Sequence, residues 1–197
     1  MYVNDFDLNG TVEQIICAFD GELSYPFALK HDLTRQIPAL GRKYPKYEMY
    51  KDQQITDIFS PEQLKNSVQL RAYLMETSVF INDGSGKFSK GDLPVEAQFS
   101  PVYAAFVGDI DGDSVLDILL GGNLFNAKPE TGRYDSSYGT FLQGNGKGGF
   151  KNIPAKVSGF RLEGEIRDFI KLKTKKDVLL VAAGSNAPVQ VFKMTGQ

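Results

Sequence analysis

Internal repetition constrains this chain more than any other feature, because a period of tens of residues commits it to an architecture of similar stacked units. The segment Phe80-Ile81-Asn82-Asp83-Gly84-Ser85-Gly86-Lys87-Phe88, followed by Leu93-Pro94, returns as Leu142-Gln143-Gly144-Asn145-Gly146-Lys147-Gly148-Gly149-Phe150, followed by Ile153-Pro154; Phe88 and Phe150 stand 62 residues apart. The opening run from Val3 to Ile16 matches the run within Ala105 to Leu120 position for position. A worn third copy spans Ile166 to Leu180, with Asp177-Val178-Leu179-Leu180 where Asp117-Ile118-Leu119-Leu120 stood 60 residues earlier.

Each unit reads as an apolar strand, an acidic turn, a second apolar strand, a Gly-rich hairpin, and a third and fourth strand ending near Leu-Pro or Ile-Pro. Asn, Asp and Gly between β-prone runs mark the hairpin, because these residues tolerate the positive φ of tight turns. A four-stranded antiparallel meander of about 60 residues in tandem copies is the pattern of a β-propeller blade. The expectation is an all-β chain, a partial β-propeller of about three four-stranded antiparallel blades. The first covers about residues 1–100 with a helical insertion at 20–71, the second about 101–160, and an incomplete third about 161–197. A closed propeller needs four to eight blades. This predicts that the chain is the C-terminal part of a longer protein, with open first and last sheets through which copies could self-associate.

The insertion has helical signals. Ser60-Pro61-Glu62-Gln63 offers an N-cap serine, a proline at the first helical position and a capping-box glutamine. His31 to Leu40 places Leu33, Ile37 and Leu40 at helical spacing, with Pro38 set to end or bend the helix. The basic, aromatic stretch Lys43 to Tyr50 reads either as tyrosines packing a helical lid or as a face for a sugar or an acidic partner.

Lys and Arg number 22 against 24 Asp and Glu, a formal charge of -2, so no bulk positive field exists to hold nucleic acid. The single cysteine, Cys17, lies in the apolar run Ile15 to Phe19 and reads as core, which leaves no internal disulfide and no thiolate cage. The longest apolar runs, such as Val178 to Ala183, fall far short of the ~20 residues of a membrane helix. Met1 to Asp5 carries no export signal, which is instead expected upstream of this segment.

The acidic turns carry the chemistry. Asp5, Asp7 and Asn9 are spaced by two, Gly10 follows and Glu13 stands at the ninth position; the second copy presents Asp109, Asp111, Asp113 and Asp117. Several hard oxygens on one tight loop suit Ca²⁺, which takes six to eight oxygen ligands at roughly 2.3 to 2.6 Å. Carboxylates so close together without a cation would repel one another. The main-chain carbonyls of Thr11 and Val115 are expected to add a ligand each. An EF-hand is excluded, because its closing Glu would fall where Ile16 and Leu120 stand. The third copy has Phe169, Lys171 and Lys173 at the ligand positions and cannot bind metal.

These residues resemble the FG-GAP or VCBS repeat proteins, whose blades also build integrin α-subunit heads. The Asp-x-Asp-x-(Asp/Asn)-Gly-x-x-Asp loop corresponds to Asp5–Glu13 and Asp109–Asp117, and the Asn-x-Gly-x-Gly-x-Phe element to Asn82–Phe88. Within that family the chain is similar to bacterial ASPIC/UnbV-associated surface proteins, through Gly122-Asn123, Thr131-Gly132-Arg133, Asp135, Gly139 and Ser158-Gly159-Phe160. It departs at Glu13 for Asp, at Ser114 for Gly and in the worn third loop. The resemblance implies calcium binding, export, and a place outside the cytoplasm, at the cell surface or in the periplasm.

No catalytic constellation emerges. His31 is the only histidine, no Gly-x-Ser-x-Gly element is present, and the run Gly144 to Gly149 lacks phosphate-loop spacing and precedes Phe150 rather than a helix. The expected function is non-catalytic: an extracellular, calcium-binding module for adhesion to an unidentified protein or glycan. A polysaccharide-active enzyme on the same scaffold, or a structural fragment with no ligand beyond calcium, are the alternatives. The excursion from Asn123 to Ser137 is where a ligand-facing loop would lie.

Overall fold

Short strands joined by glycine- and aspartate-rich turns, with helices confined to one stretch, make up the computed structural model, which describes residues 1–194. The chain divides into two units, Met1–Leu74 and the remainder from Met75.

In the first unit, β1 (Tyr2–Asn4) and β2 (Glu13–Ile15) form a hairpin around the first acidic turn, and β3 (Cys17–Asp20) pairs with β4 (Leu23–Pro26). Five short helices follow: α1 (Lys30–Gln36), α2 (Ala39–Lys43), α3 (Tyr47–Tyr50), α4 (Ile55–Ile58) and α5 (Pro61–Lys65). The insertion is thus helical over its middle, while its first residues complete a β-hairpin. α1 stops where Pro38 forces Ile37 out of helical geometry, at φ -123° and ψ 85°. α5 begins on the expected capping box, with Ser60 Oγ accepting from the Gln63 amide and Gln63 Oε1 accepting from the Ser60 amide. The helices bury Leu33, Ile37, Leu40, Ile55, Ile58 and Leu64 against Phe6 and Ile15 of the acidic hairpin, each fully buried side chain contributing about 1.5–3 kcal/mol. Cys17 is half-buried at the edge of this core, and burial pushes its thiol pKa up. Tyr44 is buried and meets Tyr50 edge to face. The Tyr50 hydroxyl donates to Ala28 O, and burial pushes its pKa up to about 12.

The second unit holds β6 (Val79–Asn82) with β7 (Phe88–Gly91), the sheet β8 (Val102–Gly108), β9 (Asp117–Gly122), β10 (Thr140–Gly144) and β11 (Phe150–Ile153), a single helical turn α6 (Ala155–Ser158), and the sheet β12 (Ile166–Lys173), β13 (Val178–Gly184) and β14 (Gln190–Met194). The order β11-β10-β9-β8 is a four-stranded antiparallel meander, as the repeat requires. β9 is buried along its whole length, and its side chains alternate between two cores, as a strand of period two must. Leu119 and, on β10, Phe141 face Ile166, Leu180, Ala182 and Met194 of the last sheet, whereas Ile118, Leu120 and Leu142 face Ala97 with Val79 of β6 alongside. A Cβ on Gly121 would come within 2.7 Å of Ile166, so glycine there lets the last sheet close onto β9.

The protein is mostly β, in several small antiparallel sheets none of which closes on itself. The pairing of the first repeat differs from the expected blade. Its hairpin strands β6 and β7 pair only with each other among the described residues, and β1 takes β5 (Val68–Gln69) as its second neighbour. A Gly-rich turn dictates a local hairpin, but the sheet that hairpin joins is decided by non-local packing, and the long insertion supplies β1 with a nearer partner. The third copy has three strands, and its turn, where the acidic loops stand in the others, is a tight one in which Thr174 accepts from the Asp177 amide.

Candidate metal centres

The two acidic turns fold alike. Asn4, Val3 and Tyr2 pair with Glu13, Gln14 and Ile15; Gly108, Val107 and Phe106 pair with Asp117, Ile118 and Leu119 in the same register. Left-handed backbone occurs at the fourth and sixth loop positions of both. These are Leu8 (φ 59°) and Gly10 (φ 88°) in the first, Gly112 (φ 89°) and Ser114 (φ 67°) in the second. Each loop therefore has one glycine, at opposite places, and one residue with a Cβ where glycine is favoured. Ser114 adopts at the sixth position the left-handed backbone that Gly10 has in the first loop.

Carboxylates organise both turns by accepting backbone N–H groups. Asp5 Oδ1 and Oδ2 accept from Asn9 (3.0 Å) and Gly10 (2.8 Å), while Asp109 Oδ1 and Oδ2 accept from Gly112 (2.7 Å) and Ser114 (3.1 Å). Asn9 Oδ1 caps the Thr11 amide at 2.7 Å and also accepts from the Thr11 hydroxyl; Asp113 Oδ1 caps the Val115 amide at 2.8 Å. The closing acids are buried: Glu13 Oε2 accepts from the Phe6 amide at 2.9 Å and Asp117 Oδ2 from the Ile110 amide at 3.0 Å.

Asp5, Asp7 and Glu13 each bring an oxygen within 4.8 Å of the others, and so do Asp109, Asp111 and Asp117. Asp113 lies outside its trio and caps the turn instead. Thr11 and Val115, expected to contribute carbonyls, occupy the matching seventh position. Two groups that sequence reasoning missed come from a neighbouring strand: Gln143 Nε2 donates to Asp111 Oδ2 at 2.5 Å, and the Gly144 amide donates to Asp117 Oδ1 at 2.9 Å. Only the pairing of β10 with β9 brings them there. A Cβ on Gly144 would lie 2.1 Å from Leu116 O, so this approach requires glycine. The signal was present in the sequence as the Gly144 of the hairpin motif, but its target was not.

The donor set is all oxygen, without histidine or thiolate, which suits a hard cation. One further observation bears on fit. Among the described residues Asp7 Oδ1 is buried and has no hydrogen-bond partner, and a buried carboxylate oxygen left unmatched costs free energy that a cation would offset. The residues present therefore fit Ca²⁺, which Asp5, Asp7, Asn9 and Glu13 would hold in the first loop and Asp109, Asp111 and Asp117 in the second.

Comparison with models of protein families, with curated proteins and with solved structures finds no match to this chain. The resemblance to FG-GAP and VCBS repeats thus rests on the residues quoted above. Among the described residues, no helix is long and apolar enough to cross a membrane.

Proposed function

We propose that this chain is a calcium-stabilised β module of an exported protein, part of an FG-GAP-like propeller, which binds a protein or glycan without chemical catalysis. The observation that carries this reading is the shared conformation of two carboxylate-lined hairpins, one of which leaves Asp7 Oδ1 buried and unpartnered. Stacked sheets support the propeller part of the reading: β8–β11 lies between the last sheet on one face and Val79 of β6 on the other. Extracellular calcium modules work at 10⁻⁴–10⁻³ M affinities, which loosely built, solvent-exposed loops of this kind can reach.

The role of the ion is mechanical. It would cancel the repulsion within each trio and pin the two strands of each hairpin, so that the opposite ends of the sheets are held in fixed register. The test is a thermal melt in millimolar Ca²⁺ and in chelator. Ca²⁺ raises the melting temperature of the wild type, because a ligand that binds only the folded state stabilises it by linkage. Asp109→Ala with Asp111→Ala removes the part of the rise that belongs to the second unit. A melt indifferent to chelator would remove the basis of the reading.

A further inference from the structure

In the second unit β8–β11 packs a different apolar face on each side. Leu142 of β10 and Phe150 of β11 turn toward Val79 of β6, in the sheet before it; Phe106 of β8, Leu119 of β9 and Phe141 of β10 turn toward β12–β14, the sheet after it. The inner side of β12–β14, with Leu180, Ala182 and Phe192, covers the latter. The same two kinds of face recur, uncovered, at the two ends of this stack.

The first belongs to β6 and β7. Phe80 lies opposite Lys90 and Asn82 opposite Phe88, so these four side chains share one side of the hairpin, and Val79, Ile81 and Gly91 share the other. The latter side meets β8–β11: Val79 packs on its core, and a Cβ on Gly148 would lie 3.2 Å from Ile81. Phe80 and Phe88 therefore point away from it, with 53% and 60% of their surface exposed. In the repeat they stand where Leu142 and Phe150 stand, so theirs is the kind of face that meets a preceding sheet.

The second is the outer side of β12–β14. Leu172 pairs with Leu179 as Phe106 pairs with Leu119, and Ile170 pairs with Val181 as Ala104 pairs with Gly121; Val191 of β14 lies opposite Val181. Phe106, Leu119 and Ala104 are the side chains through which β8–β11 receives the next sheet. Their counterparts line a face on which Ile170, Leu172 and Val191 expose 54%, 45% and 55% of their surface, with Asp168 and Lys193 at its rim. This is the kind of face that receives a following sheet.

The two are the halves of one contact. Both are apolar, and the lysine on each already has an acid beside it, Lys90 with Glu76 and Lys193 with Asp177, so packing the faces together strands no lysine charge. Val181 stands where Gly121 lets the next sheet close in on β9. A branched side chain there holds a partner further out, and the wider gap calls for large side chains such as Phe80 and Phe88 to fill it.

We propose that the chain associates with a second copy of itself head to tail, the face with Phe80 and Phe88 of one copy seated on the face with Ile170, Leu172, Val181 and Val191 of the next. The contact continues between copies the sheet-on-sheet packing already present within one. It goes beyond the proposed function and shares with it only the stacking of the repeats. Because two different patches meet, it does not close as a twofold dimer does and leaves one face free at each end. A hairpin laid on three strands is a small interface, which places the association in the weak, concentration-dependent range.

The test is sedimentation velocity of the full chain from micromolar to millimolar concentration, in Ca²⁺ and in chelator. The average mass is expected to rise with concentration to twice the monomer's or more in both buffers, and more steeply in sulfate, which strengthens apolar burial. Phe80→Glu with Phe88→Glu, and separately Ile170→Glu with Val191→Glu, each give a monomer at every concentration with an unchanged melting temperature. An equimolar mixture of these two variants associates again and stops at the dimer, because each keeps the face the other lacks. Val157→Glu, at an exposed valine of α6 outside both faces, associates as the wild type does. Where a glutamate pair lowers the melting temperature, threonine at the same positions replaces it. A wild type that stays monomeric at millimolar concentration, association that survives either double substitution, or a mixture that stays monomeric would overturn the assignment. So would a loss caused by the Ile170 and Val191 pair alone, which means that two last sheets meet face to face. A melt indifferent to chelator, which removes the metal reading, leaves this result standing.

Discussion

The two acidic hairpins share spacing, register and backbone, yet they are anchored differently. In the second, Asp117 uses both oxygens on main-chain amides, one in its own turn and one on β10, and Gln143 of β10 reaches Asp111. In the first, Glu13 turns its second oxygen toward the Thr11 hydroxyl at 3.3 Å, within the same turn, and Asp7 keeps an oxygen without a partner. A carboxylate trio can thus be stabilised by a neighbouring strand or left to depend on a cation. The second hairpin is tied into its sheet by protein groups alone; under the proposed metal reading the first would rely on the ion more.

The largest effect that would sharpen this contrast is expected from Asp117→Ala. Two amides lose their acceptor at a fully buried site, at about 1–3 kcal/mol each, so chemical denaturation in chelator should show a loss of about 2–6 kcal/mol. Glu13→Ala, which breaks one buried amide contact and one long hydroxyl contact, should cost about half as much; equal losses would break the comparison. Next is the response to the ion itself. Saturation at a hundred times the dissociation constant stabilises a site by about 2.7 kcal/mol. Hydrogen exchange should show chelator exposing the amides of Asn9 and Gly10 more than those of Gly112 and Ser114.

Asp7→Asn should reverse sign with conditions. In chelator it takes one negative charge out of the close Asp5, Asp7 and Glu13 trio and raises the stability of the first unit by about 1 kcal/mol; in Ca²⁺ it removes a ligand and lowers it. Asp111→Asn should show no gain in chelator, because Gln143 already supplies a donor. The smallest effects concern backbone strain. Leu8→Gly and Ser114→Gly should each stabilise by about 1 kcal/mol, and Gly10→Ala and Gly112→Ala should destabilise by a similar amount, since left-handed φ costs an L side chain roughly 1–2 kcal/mol. Unequal responses at the paired positions, read by urea denaturation, would show that the loops are less alike than their φ values.

Local signals were the legible ones. The capping box of Ser60 and Gln63, the break at Pro38 and the Asn145 hairpin are each decided by residues a few positions apart, and the structure has them where the sequence puts them. What escaped was non-local. Val68–Gln69, two residues with no strand pattern, pairs with β1 because the helical insertion brings the chain back beside it. The separation of β6–β7 from β1–β2 follows from the same competition. The site was legible as far as its acids, whose spacing of two is visible in the sequence. Gln143 could not be assigned to Asp111 without the β10 register, and the exclusion of Asp113 from its trio depends on a capping choice between two carboxylates of one turn. Leu8 at positive φ becomes readable only when its loop is laid over the other and Gly112 falls on it.

Calorimetric titration of the chelator-stripped full chain with Ca²⁺ counts the ions taken up by the two proposed hairpin sites. Two ions per chain are expected, reduced to one by Asp5→Asn with Asp7→Asn and to the other one by Asp109→Asn with Asp111→Asn. No uptake at millimolar Ca²⁺, or uptake that neither double substitution reduces, would contradict that expectation.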